Sequence, residues 1–120
     1  MIAAVVNLYI EQGTDWKQTF LFYSDKAQTI PVDFTGCTGL CRISDMDGNA
    51  VAAPMVSFPA PTTGTLVLAL PSAATAAIGV DGAVLYSDTA SFAYDVNVIS
   101  ADGSVSRWLN GSLSISPEVP

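Results

Sequence analysis

Residues 93–115, AYDVNVISADGSVSRWLNGSLSI, alternate apolar and polar side chains on both sides of an Asp-Gly pair. Alternation with period two marks a strand buried on one face, and Asp-Gly between two such runs is the strongest short signal for a hairpin. With Asp102 and Gly103 as the centre of a type I′ turn, Ala101 faces Ser104. Farther out Val98 meets Arg107, Val96 meets Leu109, Tyr94 meets Gly111 and Phe92 meets Leu113. Opposed residues share a face, so Phe92, Tyr94, Val96, Leu109 and Leu113 form one apolar layer. Asp95, Asn97, Ser106, Asn110 and Ser112 form the polar one, and a slip of one residue would mix the two sets. The predicted hairpin spans residues 92–116.

Two neighbours break this pattern. Arg107 falls on the apolar face, at the turn-proximal end, where its stem can lie on apolar surface and its head reach water. Trp108 falls on the polar face opposite Asn97, with Ile99 diagonally near. An indole there is either covered by another part of the chain or reserved for another subunit, since Trp is enriched at interface hot spots. Trp108, Ile99, Asn97 and the second tryptophan, Trp16, are the candidate interface residues.

Short strand patterns recur between turn signals along the rest of the chain, which predicts an all-β protein. WKQTFLFY puts Trp16, Phe20 and Phe22 on one face and Leu21 and Tyr23 on the other. A short strand is expected near Ile30 and Val32, with Pro31 marking an edge or a break. CTGLCRIS, the turn DMDG and a weak return through Val51 read as a second hairpin. APMVSFPAP is extended, and the nearly all-apolar GTLVLAL is a central strand. PSAATAAIGV predicts one short helix near residues 72–78, with Ser72 as its cap. Residues 79–91 fit a loop or an irregular strand. The expected fold is a single antiparallel β-sandwich over residues 1–120, immunoglobulin-like or jelly-roll-like. At 120 residues the chain buries enough surface to need no staple. Cys37 and Cys41, four residues apart on one strand, would sit ~13 Å from each other, too far for a disulfide. Two buried free thiols are expected.

The same residues argue against most chemistry. There is no histidine, so no Ser-His-Asp or Cys-His nucleophile can be assembled and the commonest metal ligand is missing. No phosphate-binding glycine loop occurs. Asp45, Asp47, Asp81, Asp88 and Asp102 fall at predicted turns, where Asp caps backbone. DMDGN resembles the start of a calcium loop, but the position of the required Glu is Val56. Asn110 begins a formal glycosylation sequon in mid-strand. The expectation is no enzyme, no cofactor and no metal. A net charge of −7 with Lys17, Lys26, Arg42 and Arg107 scattered argues against nucleic acid and anionic membrane as partners. MIAAVVNLYI has no basic start and reads as a first strand, so a soluble protein made in the cytoplasm is expected.

The order of pieces resembles a known family. EQG leads into an aromatic strand, DFTG makes a corner before a hairpin, GTLVLALPSAATAAI is a strand with a small helix, and YDVNV…ADG…GSLSISPEV closes the chain. From about residue 8 to 118 this is similar to the small β-sandwich virion proteins of tailed bacteriophages, associated with baseplates and tail fibres. Similar sandwiches form the N-terminal part of some baseplate upper proteins. The stretch GVDGAVLYSDTAS is longer than that pattern. The resemblance implies a virion structural protein in several copies, with other virion proteins and its own copies as partners at the tail, neck or baseplate. It carries no catalytic residues. Two other readings stay open: a capsid decoration protein, and a carbohydrate- or receptor-binding module in which Trp16 or Trp108 stacks on a sugar.

Overall fold

The computed structural model describes residues 4–78 and 90–116. In chain order the elements are β1 (Ala4–Val5), β2 (Leu8–Glu11), β3 (Trp16–Leu21), β4 (Thr38–Ser44), β5 (Ala50–Ala52), β6 (Met55–Ser57), a 3₁₀ turn (Pro61–Thr63), β7 (Thr65–Leu70), α1 (Ser72–Ala76), β8 (Ala90–Ile99) and β9 (Val105–Ser116). Ala90 and Ser91 begin β8, and the rest of the 79–91 question lies outside the described residues.

One sheet runs β1–β9–β8–β4–β5, with β2 also on β9, and the other runs β3–β7–β6. Both turn their apolar faces inward. Ile43, Val96, Leu109, Leu113 and Ile115 meet Trp16, Leu66, Leu68 and Leu70, while Phe34 and Ile78 close the core from the connections. Each such side chain contributes about 1.5–3 kcal/mol by leaving water. This is the all-β sandwich expected, and its strand order decides for the immunoglobulin-like form. β7 is central in its sheet, as its apolar run predicted. The expected strand near Ile30 is reduced to an isolated bridge between Tyr23 and Pro31.

The sandwich is not wholly antiparallel. β1 and β2 run parallel to β9, in the registers Ala4–Leu109 and Leu8–Leu113. Between them the chain crosses β9 at Val6, whose N–H donates to the Asn110 carbonyl at 3.0 Å and whose carbonyl accepts from Tyr94 Oη at 2.6 Å. Gly111 makes this possible. A Cβ there would stand 2.2 Å from the Val6 carbonyl oxygen.

The closing hairpin holds its outer register, Phe92–Leu113 through Val96–Leu109, as derived from the alternation. Nearer the turn it differs. Gly103 N–H donates to the Ser100 carbonyl and Ser100 N–H to the Ser104 carbonyl, both at 2.9 Å, with Gly103 at φ 89°. Asp102 does not have the positive φ that a type I′ turn requires, so this is a three-residue loop with a glycine bulge. Ile99 therefore faces Val105 and Asn97 faces Arg107. A second irregularity restores the register: Asn97 pairs Arg107 while Val96 pairs Leu109, and Trp108 is the extra residue between them. The expected faces of both misfits are corrected by it. Arg107 lies on the outer face beside Asp95, and Trp108 turns into the sandwich.

The expected cap at Ser72 is also corrected. Its hydroxyl makes no capping bond; its N–H donates to Asp15 Oδ1 at 2.7 Å, from the β2–β3 turn. The same turn holds the rest of α1. Gly13 N–H donates to the fully buried Thr75 Oγ1 at 3.0 Å, Thr75 Oγ1 donates to the Thr14 carbonyl at 2.7 Å, and Gln12 Nε2 donates to the Ile78 carbonyl at 2.9 Å. The EQGTD segment is thus the clamp on a helix too short to stand alone.

Both cysteines are free, but only Cys41 is buried; Cys37 is half-buried. Burial, with Asp95 nearby, pushes the Cys41 thiol up to about 12. Iodoacetamide at mildly alkaline pH is expected to alkylate Cys37 alone in the folded protein and both thiols in denaturant, read by mass spectrometry. Gly111→Ala is expected to cost about 1–3 kcal/mol in urea unfolding, because the obstacle is backbone and cannot swing away.

Candidate attachment face

The outer face of the larger sheet is laid out by its registers in rows across the strands. Thr38, Ile99 and Val105 form one row, and Leu40, Asn97 and Arg107 the next. Arg42, Asp95, Asn110 and Val5 form the third. Strand alternation sends their neighbours Cys41, Val96, Val98 and Leu109 into the core and leaves these side chains outside. Leu40, Val105 and Val5 are 62%, 65% and 75% exposed. Two of the chain's four basic residues, Arg42 and Arg107, stand here on either side of Asp95.

Arg107 Nη2 lies 3.6 Å from Asp95 Oδ2, the one ion pair among the described residues. At that distance and exposure it contributes at most about 1 kcal/mol, so both guanidinium groups are available to a partner. Open depressions flank the pair. One of about 410 Å³ is lined by Val5, Arg42, Ser44, Ala93 and Asn110; the other lies among Leu40, Arg42, Asn97 and Arg107. Asn110 Oδ1, in the first, is the one buried side-chain polar atom among the described residues without a hydrogen-bond partner. Mixed apolar and guanidinium side chains on a flat sheet suit contact with a protein surface better than enclosure of a small molecule.

Of the expected interface residues, Asn97 and Ile99 lie on this outer face, each half-exposed. The tryptophans do not. Trp16 is 9% exposed and faces the core from β3. Trp108, half-buried, meets Phe22 edge-on at a centroid distance of 5.2 Å and Phe34 at the same distance. Its indole N–H donates to Ser106 Oγ at 2.9 Å. The cluster continues through Phe34 to Phe58 at 4.7 Å. Leu40, Arg42, Val105 and Arg107 were not among the expected site residues. Exposed apolar side chains carry no sequence mark, and the two arginines come together only through the β4–β8–β9 register.

The turn carboxylates serve the backbone. Asp45 Oδ1 accepts from the N–H groups of Asp47 and Asn49 at 3.0 and 2.9 Å, which commits the calcium-like DMDGN segment to its own turn. Asp102 Oδ1 accepts from Ser104 N–H at 2.9 Å and from the Ser100 hydroxyl, which hold its carboxyl down to about 2. Among the described residues no three His, Cys, Asp or Glu side chains group as metal ligands, and no helix is long and apolar enough to cross a membrane.

A family model described as LtfC-like, beta-sandwich domain matches residues 3–116. The chain belongs to this family. The LtfC-like family is associated with phage tail fibres, which supports a phage β-sandwich domain. No curated protein matches. Among solved structures, CopC from Methylosinus trichosporium OB3b is 15% identical, with 86% of this chain and 98% of that one covered and a TM-score of 0.42. The periplasmic chaperone SfaE is 13% identical, with 95% and 56% covered and a TM-score of 0.46. Murine CRIg is 10% identical, with 94% and 92% covered and a TM-score of 0.41.

Trp108→Ala is expected to destabilise the fold by about 2–3 kcal/mol, below the cost of a fully buried aromatic because the indole is half-buried. Equilibrium urea unfolding measures it; a change under about 0.5 kcal/mol would be the behaviour of a surface residue.

Proposed function

We propose that this chain is a non-enzymatic structural component of a tailed-phage virion, present in several copies where fibres join the tail, neck or baseplate. The observation that carries the reading is the outer face of the larger sheet in a chain of a tail-fibre-associated family. On a protein of net charge −7, half of the basic side chains stand on one sheet face among exposed Leu40, Val105 and Val5. That face attaches the domain to a neighbouring virion protein. Apolar side chains supply buried area, and Arg42 and Arg107 supply orientation through bidentate bonds to carboxylates or carbonyls of the partner. Asp95 keeps the Arg107 guanidinium near the centre of the face between encounters.

Quantitative mass spectrometry of purified particles tests the assignment. A copy number far below that of the major capsid protein supports the tail, neck or baseplate. A number approaching it moves the protein to the shell as decoration, and absence from particles refutes the structural role. The face is tested separately with Arg42→Glu/Arg107→Glu, which is expected to fold normally yet enter particles at least about tenfold less well, as befits loss of interface arginines. Unchanged incorporation would remove the face from the attachment.

A further inference from the structure

Among the described residues the smaller sheet ends in an unpaired strand, β3. Phe22 N–H donates to the Gly64 carbonyl at 2.8 Å, on the β7 side, and β3 pairs β7 in the register Phe20–Leu66, Gln18–Leu68, Trp16–Leu70. In an antiparallel ladder the N–H and C=O of alternate residues point to opposite sides. The even-numbered residues of β3 therefore serve β7, and the backbone groups of Lys17, Thr19 and Leu21 point away from the sheet. Among the described residues nothing pairs with them. The first strand, which could have covered this edge, is committed to β9. An unpaired edge of this length is a template for another strand.

We propose that the edge of β3 is closed by β3 of a second copy, antiparallel about a twofold axis at Thr19, joining two three-stranded sheets into one. The strand is complementary to itself in this register. Thr19 faces Thr19 of the second copy and Lys17 faces Leu21, with no like charges directly opposed, and Thr–Thr is a favourable cross-strand pair. The three outward-pointing residues form three hydrogen-bonded pairs. On the inner side the half-buried Phe20 meets Gln18 of the second copy, whose stem covers the open rim of the core. On the outer side charge decides for a second copy. Among the described residues that face of the smaller sheet carries Lys17, Thr19, Leu21, Val67, Ala69 and Met55 and no carboxylate, so two chains of net charge −7 meet there without opposing acids from these strands. The edge of β2, by contrast, carries Glu11. The pairing adds to the multi-copy reading above but does not rest on it, because it is a property of the purified protein.

Sedimentation velocity on the purified chain is expected to show a dimer. Thr19→Pro removes an outward N–H that β7 does not use and is tolerated on an open edge; Thr19→Lys sets two ammonium groups face to face on the axis. Both are expected to keep the far-ultraviolet dichroism of the wild type and to weaken the dimer by about tenfold or more. Thr19→Cys in a Cys37→Ser background brings Cα atoms to about 5.5 Å across a hydrogen-bonded pair, within disulfide reach, and oxidation should link two chains through position 19. Arg42→Glu/Arg107→Glu should leave the dimer intact. The proposal is overturned by a wild type that stays monomeric at every concentration, by a dimer that survives Thr19→Lys, or by a dimer in which position 19 does not cross-link. Absence of the protein from particles would refute the virion role and leave the pairing standing.

Discussion

Gly111 lets the Val6 carbonyl come against β9 to a distance no Cβ would permit, and Tyr94 Oη donates to that same carbonyl from β8. This contact fixes where the first strand goes. With β1 and β2 held along β9, the larger sheet gains a fifth lane, and Val5 stands beside Asn110 in the row of Arg42 and Asp95. The smaller sheet loses the strand that would have lain beside β3. One crossing of the backbone over a glycine thus sets both the broad outer face and the open edge.

The outer registers of the fold were legible in the sequence because they depend on alternation. Phe92, Tyr94 and Val96 opposite Gly111, Leu109 and Leu113 need only a buried face and period two, and β7 announces its central place by apolar residues on both sides. What alternation cannot reveal is a change of register. Arg107 on the apolar face and Trp108 on the polar face are adjacent and wrong in opposite senses. One inserted residue mends both at once, and that pairing of misfits was the available signal for the bulge. The Asp102–Gly103 turn hid it, because the glycine-bulge loop shifts the register by one residue and the bulge at Trp108 shifts it back. The site was less legible than the fold for a related reason. Arg42 and Arg107 are 65 positions apart in the sequence, and the outward cap of Asp15 on Ser72 spans 57; neither leaves a local pattern.

The distribution of charge gives the surface its division. Most acids among the described residues sit at turns, and several are held there by backbone N–H groups. Asp25 bonds Thr29 and Ile30, Asp33 bonds Thr35, Asp45 bonds Asp47 and Asn49, and Asp102 bonds Ser104. These carboxylates shape loops and keep the two ends of the sandwich negative. The sheet surfaces between them are free of that role. The larger sheet's face carries the arginines, and the smaller sheet's face carries Lys17 with no acid among the described residues. A protein of this charge repels its own copies at the loops and admits contacts through the sheets.

The two surfaces would recognise partners by different means. The arginine face acts through side chains, so its selectivity lies in where a partner places carboxylates and apolar groups, and exposed charges of this kind are screened over about 8 Å at physiological salt. The β3 edge acts through backbone groups whose bonds do not depend on ionic strength, and it selects through register: Lys17 opposite Leu21 is tolerated, whereas a shift that brings Lys17 onto Lys17 is not. Association through the edge should therefore persist in salt that loosens association through the face. If both proposed contacts operate in one particle, that difference would let paired copies form first and be placed afterwards, with the order set by the physics of the two contacts.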